Sequence, residues 1–195
     1  MRLTIPFPAD KRLSLEITLR GKYIKGITFS LSGNDNKNPG SSQNRLFENS
    51  SPLAQHIHDE FFNYFNDPAY RFSLEYQLEK ATVFQQRVWQ ALTMIPGGEV
   101  RTYSELADLL GSSPRAVGNA CRMNPLPIMI PCHRVVSVAG IGGYAGDSVK
   151  NQKGPINYLA IKQWLLAHEQ GLLAHEQELV EHEKGLLKDE TAKPE

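Results

Sequence analysis

The chain has 195 residues, with 21 basic side chains, 21 acidic side chains and a formal net charge of +0. This length fits one large domain or two small ones with an ordinary hydrophobic core. The sequence has no long apolar run and no signal-peptide pattern, so we expect no membrane span and a cytoplasmic location, or a nuclear one in a eukaryote. Because it has only 2 cysteines, we expect neither a disulfide framework nor a cysteine-rich zinc site.

The neutral total hides an uneven distribution of charge along the chain. Residues 169–195 contain eight acidic and three basic residues, so residues 1–168 carry a net charge of +5. A basic body with an acidic tail is compatible with contacts to nucleic-acid phosphates, although it does not require them.

The N-terminal region predicts strands and then a polar loop. Residues 13–19 alternate apolar and polar side chains, and residues 23–29 do so similarly, which is typical of half-buried strands. Residues 32–45 are rich in Gly, Asn, Ser and Pro and predict a mobile surface loop.

A helix and a linker are predicted to follow. Residues 53–65 have helical periodicity, with Ser51 and Pro52 as a cap and first turn. We expect the aromatic side chains of this helix to pack in the core rather than to form a platform for bases. Residues 66–80 predict a linker with one extended stretch at 72–78.

Three further helices are predicted in the second half, and capping residues delimit them. They span residues 82–94, 102–110 and 113–123. Thr102 with Glu105 forms a capping box, Gly111 ends the second helix, and Ser113 caps the third. Two short helices joined at Gly111 and Ser112 fit a helix-turn-helix, but an ordinary helical hairpin has the same pattern.

The most informative segment is Ile-Met-Ile-Pro-Cys-His-Arg-Val at residues 128–135. Apolar residues on both sides are expected to fix the turn in the core, which holds Cys132 beside His133 and Arg134. A neighbouring base or cation lowers the pKa of a thiol and raises its thiolate fraction. A buried, inert structural cysteine is the alternative interpretation of the segment alone.

The C-terminal region contains a repeat with a period of seven residues. Leu-Leu-Ala-His-Glu-Gln at 165–170 recurs at 172–177. This apolar stripe predicts a helix that packs on the body, pairs with another molecule or frays into disorder.

Several separate motifs, in one order along the chain, resemble those of the O6-alkylguanine-DNA alkyltransferases, suicidal methyl acceptors of DNA repair. The active-site motif of that family is similar to the segment Pro131–Val135. The other matching segments are 84–89, 95–99, 102–107, 115–118, 124–125, 143–146 and 162–169. Such a series is far more specific than any one motif.

The resemblance implies an α+β protein in three parts. Residues 1–80 are expected to form an N-terminal α/β domain with a linker, ribonuclease H-like by resemblance. Residues 81–170 are expected to form a helical domain with a helix-turn-helix that binds DNA and accepts the alkyl group. Residues 171–195 are expected to be an acidic, repeat-containing tail.

The resemblance also assigns catalytic roles. Cys132 is the nucleophile, and His133 is the base that deprotonates it through a water molecule. Glu169 orients His133, and it is preferred over Glu176 of the second repeat because Lys-Gln-Trp precedes only the first copy. Tyr103 is the proton donor to guanine N3. Cys121 is expected to be packed and inert.

Contacts to DNA are implied for a second set of residues. Arg115 is expected to fill the gap left by the flipped base, while Ala116 and Gly118 keep the helix surface small for the minor groove. The remaining implied contacts are Arg122 and Thr102 to phosphates, Asn124 bracing the active-site turn, and Val135, Tyr144 and Ala145 walling the guanine pocket.

The implied function is irreversible transfer of an alkyl group from O6-alkylguanine, and less well from O4-alkylthymine, in double-stranded DNA to Cys132. A monomer that uses no cofactor and no metal is expected. A polar insertion at 147–160 is expected to be a loop beside the pocket. The alternatives are a DNA-binding module without chemistry, which in relatives lacks the reactive cysteine, and a cysteine hydrolase, which needs an oxyanion hole.

Overall fold

The computed structural model describes residues 1–31, 51–148 and 154–171. The predicted loop at 32–45 lies outside the described residues. The second copy of the repeat, with Glu176, and all but the first residue of the acidic tail also lie outside them.

A three-stranded antiparallel sheet opens the chain, which confirms the predicted strands. The strands are β1 (Arg2–Pro6), β2 (Leu13–Arg20) and β3 (Tyr23–Leu31), and they pair in the order β1-β2-β3. Leu15 of β2 lies opposite Ile5 on one side and Phe29 on the other, and all three side chains are buried. The alternating pattern therefore sets the register, because a shift of one residue would expose this apolar face.

The predicted helix after the sheet is α1 (Pro52–Asn66), which begins where its capping residue predicts. The Ser51 side chain accepts a hydrogen bond from the Ala54 amide at 3.3 Å, and Pro52 occupies the first turn. Phe61 and Tyr64 are buried in the core as expected. Phe62 is 57% exposed, so the expectation that every aromatic of this helix packs inside is wrong there.

The linker at 66–80 runs along the sheet instead of crossing solvent. The Ile24 amide donates to the Glu75 carbonyl at 3.1 Å, and the Gln77 amide donates to the Ile24 carbonyl at 3.1 Å. The extended stretch thus makes one parallel bridge to β3, between Ile24 and Tyr76.

Three helices follow, with the capping that the sequence predicts. They are α2 (Val83–Thr93), α3 (Tyr103–Leu110) and α4 (Pro114–Arg122). Thr82 and Thr102 each form a capping box, and Gly111 ends α3 in the left-handed conformation at φ 61°. The indole of Trp89 donates to the Ala120 carbonyl at 2.9 Å, which ties α2 to α4 in the interior.

Two short segments connect α3 to the region around Cys132. The two-residue strands β4 (Arg101–Thr102) and β5 (Val135–Val136) pair in parallel, and a 3-10 helix (Cys132–Arg134) immediately precedes β5. The start of α3 is therefore fixed beside the Cys-His-Arg turn.

The last described element is α5, which comprises residues 158–171. The expectation of a loop throughout 147–160 is wrong at its end, because the helix has begun by residue 158. Ile161, Lys162, Leu165 and Glu169 are buried at helical spacing along it.

The architecture is mixed α and β, and its core is continuous. Buried apolar residues from the sheet, from α1 and from the later helices form one cluster. The Phe7 ring of the N-terminal region contacts the Trp164 ring of α5 at 4.9 Å between centroids, in an edge-to-face arrangement. None of the described helices is long and apolar enough to span a bilayer.

Candidate active site

Cys132 is held at the start of the 3-10 helix by local backbone geometry. Its amide donates to the Ile130 carbonyl at 2.8 Å, and the Arg134 amide donates to the Pro131 carbonyl at 3.0 Å. Ile128 adopts φ 76°, a left-handed conformation that β-branched residues rarely adopt. Burial of Ile128 and Ile130 on the core side keeps this turn in place.

Asn124 braces the same turn and contacts the thiol directly. Its amide nitrogen donates to the Ile130 carbonyl at 2.7 Å and lies 3.1 Å from the Cys132 sulfur. Its carbonyl oxygen accepts from the Leu126 amide at 3.0 Å. The amide group therefore fixes the backbone and supplies a donor that favours the thiolate over the thiol.

The pKa of Cys132 is raised, not lowered, in the described structure. Burial raises it, and the hydrogen bond from Asn124 and the charge of Lys162 offset only part of this effect. The groups that lower this pKa are Asn124 and Lys162, and not the adjacent His133 and Arg134 that the sequence suggested. Burial also raises the pKa of Cys121, as expected for a packed thiol, although Cys121 lines the same cavity as Cys132.

Glu169 is the centre of a buried hydrogen-bond network. His133 Nε2 lies 2.8 Å from Glu169 Oε1, and Arg134 donates from Nε to Oε2 at 2.8 Å and from Nη2 to Oε1 at 2.9 Å. The Tyr64 hydroxyl donates to Oε1 at 2.8 Å. Burial by itself raises the pKa of Glu169, but the bonds from His133 and Arg134 outweigh it and lower the pKa well below its usual range.

The fixed carboxylate determines which nitrogen of His133 can act as a base. Burial lowers the pKa of His133 and outweighs the opposite effect of Glu169, which favours a neutral ring at pH 7. A neutral ring that bonds a carboxylate through Nε2 carries its proton there. The lone pair is then on Nδ1, which has no hydrogen-bond partner among the described residues.

Lys162 is a fully buried cation below the loop that follows β5. Its ammonium donates to the carbonyls of Val135 at 2.6 Å, Ile141 at 2.7 Å and Gly143 at 3.0 Å. Burial lowers the pKa of Lys162 to about 8, while Cys132 raises it. The three bonds hold the 135–143 segment against α5.

Cys132 is among the residues that line a cavity of about 400 Å³ between α4 and the loop after β5. Tyr103, Gly118, Arg122, Tyr144 and Ala145 are among its lining residues, and of these Tyr144 and Ala145 are the ones expected to wall the guanine pocket. Val135 is fully buried and does not line it. Ser137 and Val138 of the same segment do border the cavity, and the role of Val135 at the guanine pocket stays a prediction.

Gly142 allows the loop to approach Tyr103 closely, and Gly143 allows it to turn tightly against Asp147. A Cβ at Gly142 would lie 3.1 Å from the Tyr103 ring, at φ 73°, and one at Gly143 would lie 2.6 Å from the Asp147 carbonyl. The Tyr103 hydroxyl donates to the Gly143 carbonyl at 3.3 Å. Burial raises the pKa of Tyr103, so its phenol remains protonated and able to donate near neutral pH.

The residues expected at DNA lie on and around α4. Arg115 is exposed and, with Ala116, Gly118 and Arg122, lines a shallow concavity outside the Cys132 cavity. Thr102 is the N-cap of α3, and its hydroxyl is already bonded to Glu105 at 2.9 Å. The expected contact of this hydroxyl to a phosphate would have to share the hydroxyl with its bond to Glu105.

Sequence reasoning missed Tyr64, Lys162 and the carboxylate contact of Arg134. A weak signal existed for Lys162, which stands at an apolar-face position of α5 between Ile161 and Leu165. No local signal marked Tyr64, because its partner Glu169 is 105 residues away. Among the described residues, no group of His, Cys, Asp and Glu is placed to hold a metal ion.

The second half of the chain matches a known protein family. Residues 83–171 match the family model described as "6-O-methylguanine DNA methyltransferase, DNA binding domain". A methylated-DNA–protein-cysteine methyltransferase of Archaeoglobus fulgidus is 49% identical over 81 residues, which are 42% of this chain and 54% of the relative. The chain spans about half the length of the curated relatives it matches.

Solved structures extend the similarity over most of the described chain. A variant of the Mycobacterium tuberculosis O6-methylguanine methyltransferase is 30% identical with a TM-score of 0.62, over 86% of this chain and 90% of that one. A complex of the M. tuberculosis protein with DNA is 28% identical with a TM-score of 0.58, over 86% of this chain and 91% of that one.

Proposed function

The chain belongs to the methylated-DNA–protein-cysteine methyltransferase family, and from this membership we propose that it repairs DNA by taking the alkyl group of O6-alkylguanine onto Cys132. O4-alkylthymine is proposed as a poorer substrate. The observation that carries the proposal is that Cys132 lines a cavity, that its sulfur lies 3.1 Å from the Asn124 amide nitrogen, and that the next residue, His133, forms a buried pair with Glu169.

The proposed reaction is one in-line displacement. His133 takes the thiol proton at Nδ1 through a water molecule, and Glu169 stabilises the resulting imidazolium. The Cys132 sulfur forms a bond to the alkyl carbon while the bond from that carbon to guanine O6 breaks. The electron pair passes to the guanine. Because the alkyl group moves directly, the transfer needs no cofactor, and because a thioether has no good leaving group, each molecule acts once.

The raised pKa of Cys132 gives the base a defined task. A buried thiol that is neutral at rest has little thiolate to react with, so deprotonation has to accompany substrate binding. The departing guanine takes a proton at N3 from the Tyr103 phenol. Tyr103 lines the Cys132 cavity and is protonated near neutral pH, which supports this role.

We propose double-stranded DNA as the partner and base flipping as the route of the guanine to the cavity. A relative of known structure binds DNA, and the exposed Arg115 stands on α4 beside the cavity mouth. In this proposal α3 and α4 form a helix-turn-helix whose second helix lies in the minor groove. Ala116 and Gly118 then allow close approach of the helix backbone, and Arg122 contacts phosphate.

The finer organisation of the chain is part of the same proposal. Residues 1–80 are taken as a ribonuclease H-like unit, residues 81–170 as the alkyl-accepting unit and residues 171–195 as an acidic tail. The antiparallel order of β1, β2 and β3 followed by α1 supports the first assignment. The protein is proposed to act as a monomer.

Mass spectrometry tests the proposed function. The protein is incubated with duplex DNA that contains O6-methylguanine, and its mass and peptide map are recorded. We expect one added methyl group, on the peptide that contains Cys132. Cys132→Ala should remain unmodified, and Cys121→Ala should be modified like the natural chain. A methyl group on Cys121, or none at all, contradicts the proposal.

A further inference from the structure

We propose that Tyr64, in the N-terminal half of the chain, is a positioning residue that sets the strength of the His133 base through Glu169. This inference rests on the proposed function of Cys132 and His133. It assigns a functional task to α1, which contributes none of the residues that line the Cys132 cavity.

The geometry places three donors on one carboxylate oxygen. Glu169 Oε1 accepts from the Tyr64 hydroxyl at 2.8 Å and from Arg134 Nη2 at 2.9 Å, and it lies 2.8 Å from His133 Nε2. The side chains of His133 and Glu169 are both 0% exposed, so these donors meet the carboxylate in the protein interior. A carboxylate oxygen shared in this way offers less electron density to each donor than an oxygen with one partner.

Tyr64 is itself held firmly enough to act as a fixed donor. Its ring packs against the Phe72 ring at 5.2 Å and the His168 ring at 5.4 Å between centroids. His168, the residue directly before Glu169 on α5, has its Nε2 2.8 Å from the Tyr64 carbonyl oxygen. Burial, and then the nearby Glu169, raise the pKa of Tyr64 well above its usual value, so the phenol keeps its proton.

The consequence for His133 follows from competition for Glu169. Imidazolium needs the full negative charge of the carboxylate, and each further donor to Oε1 withdraws part of it. Burial is the main cause of the low pKa of His133, and Arg134 adds to it by its charge. In this proposal the Tyr64 hydroxyl lowers that pKa further, through the charge it withdraws from Glu169. The other groups that act on this network are Lys162, which lowers the pKa of His133, and Tyr144, which interacts with Glu169.

The test is Tyr64→Phe, which removes the hydroxyl and keeps the ring. The pKa of His133 is measured by NMR titration of the free protein, and the rate of transfer from O6-benzylguanine is measured as a function of pH. We expect the pKa of His133 to rise by about half a unit to one unit, which is less than the roughly one to two units of a hydrogen bond made directly to a titrating charged group, because Tyr64 acts on His133 only through Glu169. The acid limb of the rate profile should move to higher pH by the same amount.

Tyr70→Phe is the matched control. Tyr70 contacts the same Phe72 ring at 6.2 Å but does not touch Glu169, so its variant should leave both titrations in place. In a Glu169→Gln background, Tyr64→Phe should no longer shift the pKa of His133, because the shared acceptor has lost its charge.

The outcomes separate the inference from the proposed function. If Tyr64→Phe lowers the rate equally at every pH and leaves the pKa of His133 unchanged, the residue is only structural and the inference is wrong. If the same shift appears in the Glu169→Gln background, the effect does not pass through Glu169 and the inference is also wrong. Failure of the natural chain to accept any alkyl group overturns the proposed function, while the NMR titration still tests the link from Tyr64 to His133.

Discussion

Replacing Asn124 by Asp tests whether the amide beside Cys132 controls thiolate formation. The substitution keeps the shape of the side chain and the acceptor for the Leu126 amide, but it exchanges a donor 3.1 Å from the sulfur for a carboxylate oxygen. The donor to the Ile130 carbonyl is lost as well. Both changes disfavour the thiolate, and the negative charge has the larger effect.

The magnitude follows from Coulomb's law. Two unit charges about 4 Å apart repel by roughly 4 kcal/mol at an effective dielectric constant near 20. Since one pKa unit corresponds to about 1.4 kcal/mol, the pKa of Cys132 should rise by about three units, and its thiolate fraction should fall about a thousandfold. The new carboxyl group of the Asn124→Asp variant loses its proton at lower pH than the Cys132 thiol. The thiol therefore has to ionise next to a negative charge.

Alkylation by iodoacetamide as a function of pH measures this pKa without DNA, and transfer from O6-benzylguanine measures the chemistry. Asn157→Asp is the matched control, because Asn157 is an exposed residue at the start of α5 whose oxygen accepts from the Ala160 amide at 3.0 Å. It adds the same charge away from the sulfur and should leave both rates unchanged. A Cys132 pKa within half a unit of the natural value in Asn124→Asp would refute the reasoning.

Four further predictions concern Arg115, Tyr103, Glu169 and Lys162. Arg115→Ala should slow transfer from duplex DNA about tenfold more than transfer from free O6-benzylguanine, since only the duplex requires flipping. Equal losses on the two substrates in single-turnover assays would contradict the proposal that Arg115 fills the gap left by the flipped base. Tyr103→Phe should slow transfer from both substrates by about a hundredfold, the usual scale for a general acid. If only transfer from duplex DNA becomes slower, the phenol contacts DNA and does not donate the proton. Glu169→Gln should raise the apparent pKa of Cys132 in pH-dependent alkylation, whereas Glu176→Gln should not; the reverse result would place the second repeat at the site. Lys162→Met should show a pH-dependent stability difference, because the pKa of Lys162 is lowered from 10.5 to about 8. Below pH 8 the buried charge of Lys162 lowers the free energy of unfolding by about 3 kcal/mol, and this cost disappears as the pH rises to 10.5. In denaturant titrations the natural chain should therefore gain about 3 kcal/mol relative to the variant over this pH range. A difference that does not change with pH contradicts the prediction.

The sequence by itself predicted the elements whose signals are local. Ser51, Thr102 and Ser113 begin helices where their side chains cap backbone amides, and Gly111 ends α3 where a left-handed residue is needed. The Cys-His-Arg turn was also predicted from residues adjacent in the chain. The family resemblance came from several short motifs, and each of these consists of adjacent residues. Such features are readable because cap, turn and periodicity depend on neighbours within one or two turns.

Only the tertiary structure decided the electrostatics of the site. The raised pKa of Cys132 follows from burial, which depends on packing by the whole fold and not on the adjacent His133 and Arg134. Tyr64 meets Glu169 across 105 residues, because α1 and α5 pack in the same core. A pKa responds to every charge and donor within a few ångströms, and chain separation carries no information about that distance.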